Sequence, residues 1–389
     1  MNPVQTKGAA SAQPGAAASD LFDAPSYADF VRAAMRIKAA RPEVAILFES
    51  TTPEPTAQLI GMVRTAFSDE LTSRYVSVFA DGNRFAIEAV ARRYGLAPEQ
   101  IVATTGATGA INLALKALVA PGDHVLVERP GFDILAKFAA DAGARVDTFA
   151  RTAPGYGVDL PDLRARLTPR TRAVLVTNLH NPSGARLPPE ELAAMAAAVG
   201  SVGAVLIVDE VYADFATPTP APAATLAANI LTVSSLTKVF GLFALKFGWM
   251  AGDAALIDRI RRAAPDGDMG VSKLSHAVAA HVLEAPAAFE AHWQGVLAKS
   301  RPVMERETAA LVRDGLLEGD LPPSGCMYFP RVPGAPDTRA LARRLLADFD
   351  LLVAPGEFFG APGHIRLGFA ADPAAIALGF ERLRAGLMV

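Results

Sequence analysis

The sequence has little cysteine, no long apolar run and almost no net charge, and each absence argues against a class of protein. Cys326 is the single cysteine among 389 residues, so an intramolecular disulfide is impossible and the composition suits the reducing cytoplasm. No stretch of about 18 apolar residues is free of glycine, proline and charge, which argues against a transmembrane helix. A net charge of -3 favours neither a nucleic acid nor a membrane surface as partner. The six histidines are scattered and none is spaced for a metal site with Cys326, so no metal is predicted.

The length and the shifts in composition along the chain predict two domains and a tail. Residues 1–20 are rich in alanine, glycine, serine and proline. They lack the basic start and apolar core of a secretory signal, so we expect a disordered tail, with an expression or start-site artefact as the alternative. Residues 21–53 are assigned to the N-terminal segment of a small domain, 54–275 to a large domain, and 276–389 to the C-terminal part of the small domain.

From about residue 100, short apolar runs rich in β-formers alternate with helical stretches such as Ala110–Val119 and Glu190–Val199. Alternation of this kind is typical of a mostly parallel sheet covered by helices. We therefore predict an α/β fold of three layers around a seven-stranded sheet. The predicted strands are Gln100–Thr104, His124–Glu128, Arg145–Phe149, Arg172–Thr177, Ala204–Val208, Ile230–Ser234 and Phe247–Ala251.

After about residue 275 the pattern changes to long helical stretches, Val303–Asp314 and Thr338–Phe349 among them. Two short extended runs, Met327–Phe329 and His364–Phe369, lie between and after these helices. Near the start of the chain, Tyr27–Ala40 has the pattern of an amphipathic helix. These elements predict a second, smaller α+β domain.

Two predicted strands lead into residues whose side chains could take part in a reaction. The apolar run in Ala204–Phe215 ends at Asp209, and Tyr212 follows three residues later. The next strand leads to Ser235, and Lys238 lies three residues further on. Ligands gather at the carboxyl ends of strands in open α/β sheets. Lys238 is therefore a candidate Schiff-base nucleophile, and Asp209 a candidate partner of a protonated ring nitrogen. A surface lysine and a capping carboxylate are the alternatives.

Two further turns follow predicted strands. Asn181 begins the turn Asn-Pro-Ser-Gly, where its amide could bind a phenolic oxygen; a plain tight loop is the alternative. The segment Gly106-Ala107-Thr108 stands between a strand and a helix, where free backbone amides favour a phosphate. The spacings of a P-loop and of a dinucleotide-binding loop are both absent.

An aromatic residue and an arginine complete the candidate site. Phe132 follows a strand through Arg129-Pro130-Gly131 and could stack on a flat ring, or simply pack in the core. Arg366 stands among apolar residues of a short strand, where burial would be costly without an anion. A substrate carboxylate is the anion that we expect, and a structural salt bridge is the alternative.

Taken together, these motifs resemble the class I and II aminotransferases, which are pyridoxal-phosphate enzymes of fold type I. The resemblance covers about residues 25–389. It is sharpest in Ser-Leu-Thr-Lys at 235–238, continuing to Gly248-Trp249, and the motifs follow the order of the family.

The resemblance implies a role for each candidate. Lys238 resembles the lysine that forms the Schiff base with pyridoxal phosphate, and Asp209 the acid paired with the pyridine nitrogen. Tyr212 and Asn181 resemble the partners of the ring 3-oxygen, and Arg366 resembles the arginine that clamps the substrate carboxylate. The ring-stacking residue implied is Phe132, and the phosphate ligands implied are Gly106, Ala107, Thr108 and Ser235.

The resemblance also implies a homodimer in which a tyrosine of the partner chain reaches the phosphate, and Tyr75 is the candidate. Its spacing to Gly82 is two residues longer than the family pattern. Lys246 stands where the family usually has a phosphate-binding arginine, and lysine keeps the charge but loses the fork. Glu49–Pro53 replaces a loop that often contains glycine, which predicts an atypical substrate.

The implied reaction is the transfer of an amino group from an L-amino acid to a 2-oxo acid by a ping-pong mechanism. A C–S β-lyase would use largely the same residues and remains the alternative. A non-catalytic effector-binding module is disfavoured, because Lys238 and Asp209 are intact and the stretch before the sheet is too short for a DNA-binding domain.

Overall fold

The computed structural model describes residues 21–68, 73–76, 82–263 and 272–389. The predicted tail, residues 1–20, lies outside the described residues. No helix in these described ranges is both long enough and apolar enough to cross a membrane.

Twelve α-helices and thirteen strands occur in the described part of the chain. The helices are α1 (Tyr27–Ala40), α2 (Thr56–Ala66), α3 (Arg84–Tyr94), α4 (Gly106–Leu118), α5 (Asp133–Asp141), α6 (Leu160–Arg166), α7 (Pro189–Gly200), α8 (Ala254–Ala263), α9 (Lys273–Glu284), α10 (Ala287–Arg313), α11 (Thr338–Phe349) and α12 (Pro373–Leu387). The strands are β1 (Ala45–Ile46), β2 (Ile101–Thr104), β3 (His124–Arg129), β4 (Arg145–Thr152), β5 (Gly157–Val158), β6 (Thr171–Thr177), β7 (Val205–Asp209), β8 (Ile230–Ser235), β9 (Gly248–Gly252), β10 (Met327–Tyr328), β11 (Leu351–Leu352), β12 (Ala354–Pro355) and β13 (Ile365–Gly368).

The central sheet has eight strands in the order β2-β9-β8-β7-β6-β3-β4-β5. Pairing is parallel from β8 through β7, β6 and β3 to β4, whereas β9 is antiparallel to both of its neighbours. All seven predicted strands are present. The eighth strand, β5, has two residues and pairs antiparallel with β4; a pair of residues is too short to give a periodic signal.

Alternate side chains of the central strands enter two separate cores. On β7, Val205 and Ile207 pack with α4, α5 and α8, whereas Leu206 and Val208 pack with α6 and α7. Successive side chains of a strand point to opposite faces, so a strand that is apolar at every position is covered on both sides. This pattern confirms the three layers.

The smaller α+β part joins the two ends of the chain. β1 pairs in parallel with β11, and β13 lies between β10 and β12. Phe30 of α1 and Phe48 pack in one core with Leu345 of α11 and Phe380 of α12. The helix predicted at Val303–Asp314 is longer than expected, because α10 continues through Pro302.

Candidate active site

One cavity lies at the carboxyl ends of the parallel strands, where β6, β7 and β8 end beside the smaller α+β part. Six of the predicted site residues meet there: Phe132, Asn181, Asp209, Tyr212, Lys238 and Arg366. The remaining lining residues are Tyr27, Ser50, Thr177 and Val211.

Asp209 is the last residue of β7 and is buried. Its Oδ1 accepts the backbone N–H of Val211 at 3.0 Å. Burial raises the pKa of this carboxyl to about 7; Glu128 adds to the rise, and the Val211 bond and the charge of Lys238 oppose it. A buried carboxyl with a raised pKa gains most from a cation placed beside it. Asp209 therefore fits the protonated ring nitrogen of pyridoxal phosphate.

Lys238 lies in the loop between β8 and β9 and is half-buried. Its Nζ donates to Thr51 Oγ1 at 3.1 Å and lies 6.0 Å from the centre of the Tyr212 ring. None of the described carboxylates forms an ion pair with it. An amine held in a cavity without an anionic partner is placed to react with a carbonyl group.

Arg366 on β13 is almost completely buried, with 1% of its surface exposed. Its guanidinium donates to Asn181 Oδ1 at 2.8 Å, to the Phe48 carbonyl at 3.0 Å and to the Tyr27 hydroxyl, and it lies 5.0 Å from the centre of the Phe359 ring. Its Nε has no hydrogen-bond partner. The salt-bridge alternative is not observed, since no described carboxylate pairs with Arg366. A buried cation among neutral acceptors calls for an anionic ligand.

Tyr212 and Asn181 are held by hydroxyl groups. The buried Tyr212 hydroxyl shares a hydrogen bond of 2.9 Å with Ser50 Oγ. The backbone N–H of Asn181 donates to Thr177 Oγ1 at 2.8 Å. The Tyr212 side chain and the Asn181 backbone are thus fixed in the wall of the cavity that Lys238 also lines, and Arg366 holds the Asn181 side chain.

The predicted phosphate ligands meet where α4 begins. Gly106 has a φ of +73°, and no side chain caps the amides at the start of α4. On the facing strand, a Cβ at Gly248 would lie 2.4 Å from the Gly106 carbonyl carbon, so only glycine allows this approach. Ser235 pairs with Gly248 across β8 and β9. Gly106, Ala107 and Ser235 are thereby brought together, and free amides at a helix start suit a phosphate.

The predicted phosphate ligands lie outside the lining of the cavity, and two of them, Lys246 and Tyr75, also lie away from the group at the start of α4. Lys246 has a φ of +50°, and its Nζ lies 3.4 Å from the centre of the Phe243 ring. Partial burial and the charge of Lys238 lower the pKa of Lys246. Tyr75 is 37% exposed. Neither residue contacts the cavity within this chain, and Thr108 at the start of α4 is exposed.

Several site residues were not identified from the sequence. The sequence places Tyr27 in an amphipathic helix, and Ser50 and Thr51 in a loop, without linking any of them to the site. Glu128 ends an apolar strand, the same signal that singled out Asp209. Its carboxylate accepts the N–H and hydroxyl of Thr177 at 2.7 and 2.6 Å.

The charge of Glu128 is balanced behind the cavity. Arg151 lies 2.6 Å from it, and both side chains are fully buried. Thr177, which Glu128 holds, in turn accepts the backbone N–H of Asn181. The ion pair therefore supports the wall of the cavity that carries Asn181, and a buried pair of this kind is costly to break.

Comparison with known proteins agrees with this geometry. Residues 59–383 match the model of the family described as aminotransferase class I and II. Capreomycidine synthase of Streptomyces vinaceus is 34% identical over 75% of this chain and 77% of its own length. The arginine–pyruvate transaminase AruH of Pseudomonas aeruginosa is 32% identical over 75% of each chain.

Solved structures share the fold. N-Succinyldiaminopimelate aminotransferase from Mycobacterium tuberculosis aligns with a TM-score of 0.79 at 27% identity, over 92% of this chain and 97% of that one. A PLP-dependent aminotransferase from Streptococcus suis aligns with a TM-score of 0.81 at 23% identity, over 91% and 96%. With a family model that spans most of its length, this chain belongs to the class I and II aminotransferases and uses pyridoxal phosphate as its cofactor.

Proposed function

We propose that Lys238 carries the cofactor and that the enzyme transfers an amino group from an L-amino acid to a 2-oxo acid in two half-reactions. The observation that carries this proposal is the meeting of three groups in one cavity. These are the Lys238 amine without an anion, the buried Asp209 carboxyl and the Arg366 guanidinium without a carboxylate. When bound, pyridoxal phosphate supplies an electron sink for a carbanion at the substrate α-carbon.

The protein groups bind, orient and move protons around that centre. Arg366 holds the substrate carboxylate through two parallel N–H donors of its guanidinium group. Lys238 takes the proton from the substrate α-carbon and delivers it to the cofactor carbon that is bonded to the substrate nitrogen. Asp209, as a carboxylate, keeps the ring nitrogen protonated. Tyr212 and Asn181 donate to the 3-oxygen.

The rest of the site holds the cofactor in place. Phe132 packs against the ring. The amides of Gly106, Ala107 and Thr108 at the start of α4, with the hydroxyl of Ser235, bind the phosphate. Lys246 adds a positive charge near the same group.

We further propose that the enzyme is a homodimer in which Tyr75 of the partner subunit reaches the phosphate. Exposed apolar side chains on neighbouring elements support this. Ile60 and Val63 lie on α2, Leu274 lies on α9 and Phe243 lies in the turn beside α9. Apolar patches of this kind mark contact surfaces. We expect sedimentation equilibrium to give a particle of twice the chain mass, and a monomer would contradict the proposal.

The domain borders and the location of the protein are proposed on similar grounds. Residues 21–53 and 276–389 form the small domain, and residues 54–275 form the large one. The core that joins Phe30 and Phe48 to α11 and α12 supports this division, although α9, which crosses the border at 275, packs on α2 and α3. The single, buried cysteine suits the reducing cytoplasm.

A change of Arg366 to lysine tests the carboxylate site. Arg366→Lys keeps the charge but loses the fork, so KM for the amino donor should rise by about ten- to a hundredfold, as for a lost charged hydrogen bond of about 1.5–3 kcal/mol. Steady-state kinetics would measure this. Arg331→Lys, in the exposed ion pair with Glu318, is the matched control. An unchanged KM in Arg366→Lys would place the substrate carboxylate elsewhere.

The visible absorption spectrum tests the proposed reaction as a whole. The purified enzyme is mixed with single amino acids, without any oxo acid. We expect the cofactor band to bleach with one group of amino acids, which names the donor class. A band that persists while pyruvate and ammonia accumulate would instead indicate a β-lyase.

A further inference from the structure

Residues 48–52 pass beside the cavity, which Ser50 lines, and the backbone of this segment fits tightly against two other elements. A Cβ at Gly368 would lie 1.8 Å from the Glu49 carbonyl oxygen. A Cβ at Gly241, which has a φ of +69°, would lie 2.6 Å from the Thr52 carbonyl oxygen. Glycine on β13 and glycine in the loop after Lys238 therefore let this crossing segment (residues 48–52) lie against both elements.

The crossing segment contacts Lys238 at both its backbone and its side chain. The N–H of Thr52 donates to the Lys238 carbonyl at 3.1 Å. Thr51 Oγ1 accepts from Lys238 Nζ at 3.1 Å. One residue earlier, Ser50 Oγ lies 2.9 Å from the Tyr212 hydroxyl. The two hydroxyls thus hold two of the proposed catalytic side chains from the same side.

We propose that Thr51 is a positioning residue that holds the free amine of Lys238 towards the reacting atoms. This inference rests on the proposed role of Lys238. A lysine side chain has four rotatable carbon bonds, so an amine without a partner samples many positions. The Thr51 hydroxyl selects one of them. It acts whenever the amine is free, which includes the capture of the cofactor.

The geometry gives the hydroxyl a defined partner. The hydrogen bond from the Thr52 N–H to the Lys238 carbonyl fixes the backbone next to Thr51. The Thr51 hydroxyl therefore stays within reach of the Lys238 amine. No described carboxylate offers the amine a competing ion pair. Thr51 is half-buried, and valine has nearly the same shape, so Thr51→Val removes the acceptor without a large change in packing.

Cofactor capture measures this role without turnover. Cofactor-free protein is mixed with pyridoxal phosphate, and the rate is followed by absorbance as the Lys238 amine condenses with the aldehyde and releases one water. We expect Thr51→Val to slow capture by about three- to tenfold, the size of one hydrogen bond. Thr51→Ser, which restores the hydroxyl, should return to within about twofold of the wild-type rate. Thr225→Val, at an exposed threonine, is the control for the chemical change.

The outcomes separate this role from the proposed function. Capture by Thr51→Val at the wild-type rate would overturn the inference, and so would equal slowing in Thr51→Ser and Thr51→Val, which indicates a structural role. Borohydride reduction and peptide mass spectrometry locate the captured cofactor. If the wild-type protein does not carry it on Lys238, the proposed function fails and the inference with it. If the wild-type protein carries the cofactor on Lys238 and Thr51→Val captures it at the same rate, only the role of Thr51 is overturned.

Discussion

Replacing Lys238 with alanine is expected to lower kcat by at least about 10⁴-fold. The variant loses the amine that attaches the cofactor and also the group that moves the proton, and general acid–base catalysis alone contributes about 10²- to 10⁴-fold. Steady-state kinetics with the donor identified by the spectral panel would measure the loss. Spectra of the variant should also lack the band of the attached cofactor.

The matched control is Lys299→Ala, which removes an exposed lysine of α10. It should leave both the band and the rate unchanged. Near wild-type turnover by Lys238→Ala would show that another group carries the chemistry. A lost band with retained turnover would separate attachment from catalysis and would remove Lys238 from the proton-transfer role.

Replacing Asp209 with asparagine is expected to lower kcat by about 10²- to 10³-fold, the cost of losing one preorganised electrostatic group. Asparagine keeps the shape and loses the charge that holds the ring nitrogen protonated. Cofactor should still bind, because Phe132 and the amides at the start of α4 are untouched. Activity and cofactor content measured on the same preparation would separate the two effects. Unchanged kcat would remove Asp209 from this role.

The same variant tests the raised pKa of Asp209. The unfolded chain ionises this carboxyl at its ordinary pKa of 3.8, whereas the folded, cofactor-free protein keeps the proton until about pH 7. A raised carboxyl pKa therefore lowers the free energy of unfolding as pH rises from about 4 to about 7. Urea unfolding at pH 5 and pH 7.5 should show a larger fall in the wild type than in Asp209→Asn. Equal falls would mean that the burial of Asp209 does not act in this way.

The central sheet could be predicted from the sequence because several of its strands contain continuous apolar runs, such as Val205–Val208 in β7 and Ala173–Val176 in β6, and helical stretches separate them. Lys238 and Asp209 could be located for the same reason, since each follows a buried strand at the edge where ligands bind. A polar residue that follows an apolar run can be recognised in the sequence without knowledge of the tertiary structure.

The contacts between distant segments carried no such signal. Tyr27 meets Arg366 only after the two ends of the chain share one core. Ser50 and Thr51 reach the site because two glycines, far apart in sequence, admit the segment between them. Such pairings depend on tertiary packing, and neither periodicity nor local turn chemistry encodes them.

The pairing of β1 with β11 has a consequence for synthesis. Ala45 emerges from the ribosome long before its partner Leu351, because about 300 residues separate the two strands. At about 5–20 residues per second, the wait is on the order of tens of seconds. During that time Phe30 and Phe48, which are fully buried in the finished enzyme, can pack only on each other and on nearby residues, because their partners on α11 and α12 are not yet made. The nascent chain therefore presents an aromatic segment that suits a chaperone, and the site is completed only after Arg366 has been synthesised.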